Sequence, residues 1–407
     1  MTTATPPNVP AQYVPDRLPP NLPDQECETG IATVPLIAET HLPNWQPDIP
    51  QRYLDMSPDE LTTRIQRAKD TLGTRLVILG HHYQRDDVIQ FADFQGDSFG
   101  LSQQAAARKD AEFIVFCGVR FMAESADILT RPNQAVVLPN LAAGCSMADM
   151  AIPEDVYSSW DELTEIIDPE TTIPITYMNS DASLKAFVGE NGGAVCTSSN
   201  AEAVLRWAFD RGRRVLFFPD QHLGRNTAKR LGIDTKTETA VWNPRKPLGG
   251  LTPDQIQRSK VLLWQGHCSV HIRFTTDQIA KARADHPGCK VVVHPECTEQ
   301  VVDAADADGS TAFIVKYTHE GPPGVYAVGT EINLVHRLND QLKDQGKTVF
   351  CLDPVVCPCS TMYRIHPAYL AWVTEALVDG QIVNRIQVDD QTRRWATVAL
   401  QRMLDIT

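Results

Sequence analysis

The sequence predicts an α/β protein made of three related units. Three recurrences carry that expectation: a capped helix running into a short apolar strand, a polar triplet closing the strand, and a single cysteine after a later apolar run, each met three times in the same order. Strands alternating with helices imply parallel sheets. The expected architecture is therefore three homologous α/β/α sandwich domains with parallel sheets around a pseudo-threefold axis, with the active site at their junction.

Residues 1–50 contain proline runs such as Pro6-Pro7 and Pro19-Pro20 and little periodicity, and they read as an extended arm. The first unit, 51–144, opens at Ser57-Pro58-Asp59-Glu60, where a Ser cap, Pro at the first helical position and Glu three residues beyond the Ser form a capping box before the strand Leu76–Leu79. This unit is expected to be completed by 361–407. The second, 145–273, repeats the opening at Ser159-Trp160-Asp161-Glu162 before a strand ending near Tyr177. The third, 274–360, repeats it at Thr275-Thr276-Asp277-Gln278 before Val291–Val293.

The strands end in His81-His82-Tyr83, Tyr177-Met178-Asn179 and His294-Pro295-Glu296. Hydroxyl-bearing turns into helices follow, with Ser98, Ser198 and Ser310 lying 15, 19 and 14 residues beyond the triplets. Further apolar strands come at Phe113–Phe116, Val215–Phe218 and Val325–Val328, and then Cys145, Cys268 and Cys359. The intervals from the serines to those cysteines are 47, 70 and 49 residues, which places an insertion in the middle unit at about 233–258, read as a surface loop. Side chains at strand C-terminal ends and at the following helix N-termini face the ligand crevice of such sheets, so triplets, hydroxyls and cysteines should converge.

Composition narrows the function. At 407 residues, 43% hydrophobic and 22% charged, the chain can bury more than one core. A net charge of -14 without basic runs argues against nucleic-acid binding, and no apolar run is long enough for a membrane span or a signal peptide, so a cytoplasmic protein is expected. Ten cysteines are then not a disulfide framework. Cys27, Cys117, Cys196, Cys289 and Cys351 read as small buried hydrophobes, and Cys297 is compatible with either class. Cys145, Cys268 and a third cysteine, one per unit, suit a soft metal centre, zinc or iron-sulfur; separations of 123 and 91 residues are unlike the paired knuckles of structural zinc. The last signature, Cys357-Pro358-Cys359, leaves open which sulfur is the third ligand, or whether the two form a disulfide.

The strings Gly144-Cys145-Ser146-Met147-Ala148-Asp149, Trp264-Gln265-Gly266-His267-Cys268-Ser269-Val270-His271 and Cys359-Ser360-Thr361-Met362 resemble the cluster-cysteine signatures of the quinolinate synthase (quinolinate synthetase A) family. His81-His82-Tyr83-Gln84, Gly96-Asp97-Ser98, Tyr177-Met178-Asn179, Cys196-Thr197-Ser198 and His294-Pro295-Glu296 extend the resemblance over about residues 55–407. It implies a transferase of de novo NAD biosynthesis that condenses iminoaspartate with dihydroxyacetone phosphate, losing phosphate and two waters. It also implies one [4Fe-4S] cluster on Cys145, Cys268 and Cys359, whose open iron acts as a Lewis acid, and a functional link to the enzyme that makes iminoaspartate. Cys359 is favoured over Cys357 because the family's last ligand sits three residues before a Met.

Within that resemblance Glu296 is the main acid-base group. Tyr83 and Tyr177 protonate or orient intermediates, His81 and His294 supply acid-base and binding groups, and His271 and Asn179 contact substrate. Ser98, Ser198, Ser310 and Thr311 offer hydroxyls and helix N-terminal amides to anionic oxygens. Taken singly, each of these is as readily a structural cap or a satisfied polar group; repetition in three units raises them above that. His82 is read as a supporting group behind the triplet. A hydro-lyase of the aconitase kind shares the open iron, and a zinc or thiol-redox module shares the cysteines but gives the triplets no role.

Overall fold

The computed structural model describes residues 49–353 and 358–406. The expected N-terminal arm, apart from Ile49 and Pro50, lies outside the described residues, as do Cys27 and Cys357.

Local sequence starts the first unit as expected. Ser57 Oγ accepts the Glu60 N–H, and the Glu60 carboxylate accepts the Ser57 N–H at 2.9 Å, opening the helix Pro58–Leu72, which buries Leu61, Ile65, Ala68 and Leu72 along one stripe. The chain then forms β1 (Leu76–His81), β2 (Phe94–Gly96), β3 (Phe113–Cys117) and β4 (Ala135–Val137), in the parallel order β2-β1-β3-β4. The second unit contributes β5 (Thr172–Tyr177), β6 (Ala194–Cys196), β7 (Arg214–Phe218), β8 (Thr239–Trp242) and β9 (Val261–Trp264), in the order β6-β5-β7-β9-β8. The third contributes β10 (Lys290–Val293), β11 (Ala307–Asp308), β12 (Gly324–Gly329) and β13 (Lys347–Cys351), in the order β11-β10-β12-β13. The second and third sheets are wholly parallel, and their first strands are buried throughout Thr172–Tyr177 and over Val291–Val293, as sheets covered on both faces require.

Setting aside β8 and an antiparallel edge strand on the first sheet, all three share one winding: the first strand of each unit lies between its second and third. Strand order reverses there, and the crevice beyond the strand C-terminal ends is where such folds take ligands. The α/β architecture of three parallel-sheet units is thus present.

Three local expectations are corrected. Ser159 is not a cap: its helix, Pro153–Thr164, starts six residues earlier with Pro at the first position and Glu154 and Asp155 in the first turn, and Ser159 is buried inside it. Its hydroxyl accepts the Trp242 indole N–H at 2.9 Å. The 233–258 insertion is not simply a surface loop, because it supplies β8 to the sheet edge, the buried Trp242 and the capped helix Pro253–Arg258. The C-terminal segment, expected with the first unit, divides between two. Its helix Pro367–Val378 packs on Pro58–Leu72, with Glu375 bound to Arg64 at 2.8 Å, and β14 (Arg385–Ile386) pairs antiparallel to β4. Its last helix, Asp390–Asp405, packs on Ala182–Glu190 of the second unit.

That last contact is a close backbone approach. A Cβ on Gly189 would stand 2.1 Å from the Trp395 carbonyl oxygen. Gly189→Ala, helpful in a free helix by propensity, should instead lower stability by roughly 1–3 kcal/mol through overpacking, read as a lower urea midpoint; an unchanged midpoint would contradict this packing.

Candidate active site

The first-strand ends meet at one cavity, lined by His81, Tyr83, Ser98, Tyr177, Asn179, Ser198, His271, His294, Glu296 and Thr311 together with the thiols of Cys145, Cys268 and Cys359. All three units therefore reach it. Register explains why: Gly80, Thr176 and Val293 are the last residues paired to β3, β7 and β12, so His81, Tyr177 and His294 occupy the same next place. Tyr83, Asn179 and Glu296 then occupy the place two beyond.

Ser310 is the predicted site residue that does not line the cavity. It caps the helix Thr311–Glu320, its hydroxyl accepting the Phe313 N–H. In the first unit the cap is Asp97 rather than Ser98: Asp97 accepts the Gly100 N–H at 2.8 Å and the Ser199 hydroxyl at 2.5 Å, the latter from the second unit.

The first and third triplets use one local device. The Tyr83 N–H donates to His81 Nδ1 at 3.2 Å, and the Glu296 N–H donates to His294 Nδ1 at 3.3 Å. A ring nitrogen that accepts a backbone N–H carries no proton, so the neutral ring holds its proton on Nε2 and can donate from there. Burial agrees with neutrality, pushing His81 well below its usual range and His294 down to about 3.

Glu296, 3% exposed, is the centre of the polar network. Its Oε1 accepts the Tyr177 hydroxyl at 2.6 Å and its Oε2 accepts from His271 Nδ1 at 2.7 Å. His271 stacks on His294 with ring centroids 4.3 Å apart. Burial pushes the Glu296 carboxyl up, but the hydrogen bonds from His271 and Tyr177 outweigh it and hold the group ionised beside the neutral His294 ring. Burial, then the charge of Glu296, raise both Tyr83 and Tyr177, so both remain phenols.

The cysteines repeat a second device. Each stands three residues before a 3-10 turn, at Ala148–Met150, His271–Arg273 and Met362–Arg364. Each carbonyl accepts the N–H four residues on: Asp149 to Cys145 at 3.0 Å, Ile272 to Cys268 at 3.1 Å and Tyr363 to Cys359 at 3.0 Å. Backbone N–H groups of Ala148, His271 and Met362 point at the respective sulfurs and favour their charged form. Burial still wins, lifting Cys145 to about 12 and Cys268 well above its usual value, with neighbouring sulfurs adding to both, and raising Cys359 in the same direction with Glu331 adding to it. A cation among them would reverse that balance, and three soft donors on equivalent turns suit a thiolate-bound metal centre. Cys117, Cys196, Cys289 and Cys297 are buried and, with Cys351, line none of this cavity.

Sequence reasoning missed Thr330, whose hydroxyl meets both Tyr83 at 2.7 Å and His271 at 3.1 Å. The corresponding positions in the other units are Gly118 and Pro219, so the repeat gives no signal there. It also missed the clamp on the first triplet. Arg337 donates to the carbonyls of His82 and Gln84, and Asn333 to that of Tyr83.

A family model described as quinolinate synthetase A protein matches residues 63–405. The chain is similar to a quinolinate synthase from Corynebacterium glutamicum, 60% identical over 367 residues that cover 90% of this chain and 92% of that one. A quinolinate synthase from Streptomyces coelicolor is 54% identical over 350 residues, 86% and 89% of the two chains. One from Geobacillus kaustophilus is 51% identical over 361 residues, 88% and 97%.

The neutral His294 predicts acid sensitivity. Its folded value of about 3 lies below the ordinary 6.5, so the unfolded chain binds the extra proton between them and stability falls as pH drops below 6.5. At pH 5 that ring should cost roughly 2 kcal/mol. Urea midpoints at pH 7.5 and 5.0 should show the loss, and His294→Asn should flatten it; equal slopes would contradict a neutral buried ring.

Proposed function

From the premise that this chain belongs to the quinolinate synthetase A family of enzymes, we propose that it is a quinolinate synthase of NAD biosynthesis that joins iminoaspartate to dihydroxyacetone phosphate, releasing phosphate and two waters. The observation that carries this reading is the meeting, in one cavity, of three thiols on equivalent turns with an ionised carboxylate held by a His and a Tyr. Cys145, Cys268 and Cys359 would hold a [4Fe-4S] cluster. When bound, it supplies a Lewis-acidic iron without a protein ligand. Cys359 shares the turn geometry of the other two, which supports it as the third ligand; Cys357 lies outside the described residues.

The chain's own groups divide the remaining work. Both substrates are anionic, yet neither Lys nor Arg lines the cavity among the described residues. Ser98, Ser198, Asn179 and Thr311 offer neutral donors to carboxylate and phosphate oxygens, and the Nε2–H groups of His81 and His294 add two more. Glu296 accepts a proton from a carbon or nitrogen made acidic during condensation, and His271 steadies it in either state. The Tyr177 phenol, 2.6 Å from that carboxylate, returns a proton to a departing oxygen. The apolar wall of Val119, Phe121, Met122 and Met147 limits water around an imine that water would hydrolyse. Iminoaspartate is short-lived in water, so the reading includes supply in the cytoplasm by the enzyme that forms it.

Anaerobic purification tests the cluster: about four irons per chain are expected, lost on Cys145→Ser, and lost on Cys359→Ser but not on Cys357→Ser. A colourless zinc protein that makes quinolinate would sink it. Glu296→Gln should keep its iron and lose quinolinate formation by about 10²-fold or more; full turnover would remove its role.

A further inference from the structure

The third strand of every unit leads into a helix that begins three residues after the strand ends: β3 into Arg120–Leu129, β7 into Gln221–Arg230 and β12 into Ile332–Leu342. The start of each helix holds the loop of the cavity cysteine that comes next in the chain. The Arg120 N–H donates to the Ala143 carbonyl at 2.8 Å and the Gln221 N–H to the Gly266 carbonyl at 3.0 Å, each two residues before its cysteine. Glu331, which caps the third helix, accepts the Cys359 N–H.

The sixth residue of each helix, Ser125, Asn226 or Arg337, reaches instead to the loop after the first strand of a neighbouring unit. Arg337 donates to the carbonyls of His82 and Gln84. Asn226 Nδ2 donates to those of Pro295 and Cys297, both at 2.9 Å. These are the same two places, because His81 and His294 share one register position. Ser125 is too short for this and meets only the Met178 sulfur, at 3.2 Å; the corresponding carbonyl, that of Ser180, is taken by Lys185 of its own unit. The contacts close as a ring, first unit on second, second on third and third on first.

Asn226 stands out within that ring. It is 3% exposed and lies outside the cavity lining, yet its two amide hydrogens bracket the backbone of Glu296. Turning the amide over would set its oxygen against two carbonyls, so the nitrogen must face the loop. Its Oδ1 meanwhile has no partner among the described residues, an unfavourable state for a buried carbonyl. An amide needed only to join two units has a cheaper solution one turn on: Lys229 of the same helix binds Glu299 at 3.0 Å and both oxygens of Asp303 at 2.7 Å, on the partly exposed rim of the third unit.

Resting on the proposed reaction, we propose that Asn226 is a positioning residue, holding the Glu296 loop of the third unit from the helix that also holds the Cys268 loop. One rigid helix then sets the place of the carboxylate relative to that thiol. Displacing the loop by a fraction of an ångström would leave substrate binding to the other cavity donors and misplace the base.

The test compares Asn226→Leu, which removes both donors, and Asn226→Asp, which keeps the shape and loses at least one of the two bonds, with Lys229→Met, which cuts the neighbouring contact between the same units. Asn226→Leu should lower kcat for quinolinate formation by roughly 10-fold or more, with KM and iron content little changed. Asn226→Asp should fall in the same direction, and it carries the test if Asn226→Leu does not fold. Lys229→Met should turn over like wild type. Full kcat in both Asn226 variants, a raised KM at unchanged kcat, or equal damage in Lys229→Met overturns the positioning role. Hydrogen exchange gives a readout apart from turnover: the amides of 294–298 should exchange about 10-fold faster in the Asn226 variants and hold their rate in Lys229→Met. Unchanged exchange in the Asn226 variants overturns the role whatever the enzyme makes. A wild type that makes no quinolinate, with the faster exchange present in the variants, leaves the clamp standing and sinks the proposed reaction instead.

Discussion

The Glu296 carboxylate, ionised and 3% exposed, is the constraint around which the site is built. A buried carboxylate without partners costs several kcal/mol, and a hydrogen bond to a charge returns roughly 1.5–3 kcal/mol. Two such bonds are needed, and they come from different places: Tyr177 at the end of β5 in the second unit and His271 on the turn after Cys268. The charge is satisfied only when these elements are docked. The same docking places Cys268 beside Glu296, so assembly of the acid-base centre and assembly of the thiol set are one event.

The first unit is tied into that centre by main chain as much as by side chain. Three successive carbonyls of the loop after β1, those of His82, Tyr83 and Gln84, are held by Arg337 and Asn333 from the helix Ile332–Leu342. That helix is capped by Glu331, which accepts the Asn333 N–H at 2.9 Å and the Cys359 N–H at 3.3 Å. One helix start therefore fixes both the loop that carries His81 and Tyr83 and the turn that carries Cys359. Thr330 stands one residue before the cap, so its hydroxyl is placed by the same rigid corner. Precise placement of this kind is cheaper on a strand end and a helix cap than on a free loop.

How far the sequence could be read follows from which features repeat. Capping boxes at Ser57 and Thr275 are local chemistry and are present. The triplets and cysteines are read correctly as converging because parallel winding places equivalent residues at equivalent strand ends. The same reliance on repetition misleads at Ser159, where a third capping box is inferred from a matching string and Pro153 had already begun the helix. Ser310 and Asp97 show the complementary limit. Within a cap, the residue that turns inward to the amides and the residue that faces the cavity are neighbours in sequence, and composition does not choose between them. Thr330 and Arg337 were illegible because their partners lie 247 and 253 residues away, with no counterpart in the other units.

An acidic chain with a net charge of -14, proposed to bind two anions, would be expected to gather cations at its site, yet the cavity lining among the described residues has neither Lys nor Arg. The buried thiols explain the economy of charge. In the proposed reading three thiolates around a metal centre would already carry negative charge, and a Lys or Arg close by would compete with the metal for them while also pairing with Glu296. Neutral donors do not compete in that way. Hydroxyls, an amide and Nε2–H groups on neutral rings hold an anion by direction rather than by net charge, and such bonds are stronger in a buried, low-dielectric site than in water. Their neutrality also leaves the ionisation of Glu296 to be set by its own two donors. The lowered affinity of His81 and His294 for protons is then part of the design of the site: a charged ring at either place would pull the Glu296 charge toward itself and weaken the carboxylate as a base.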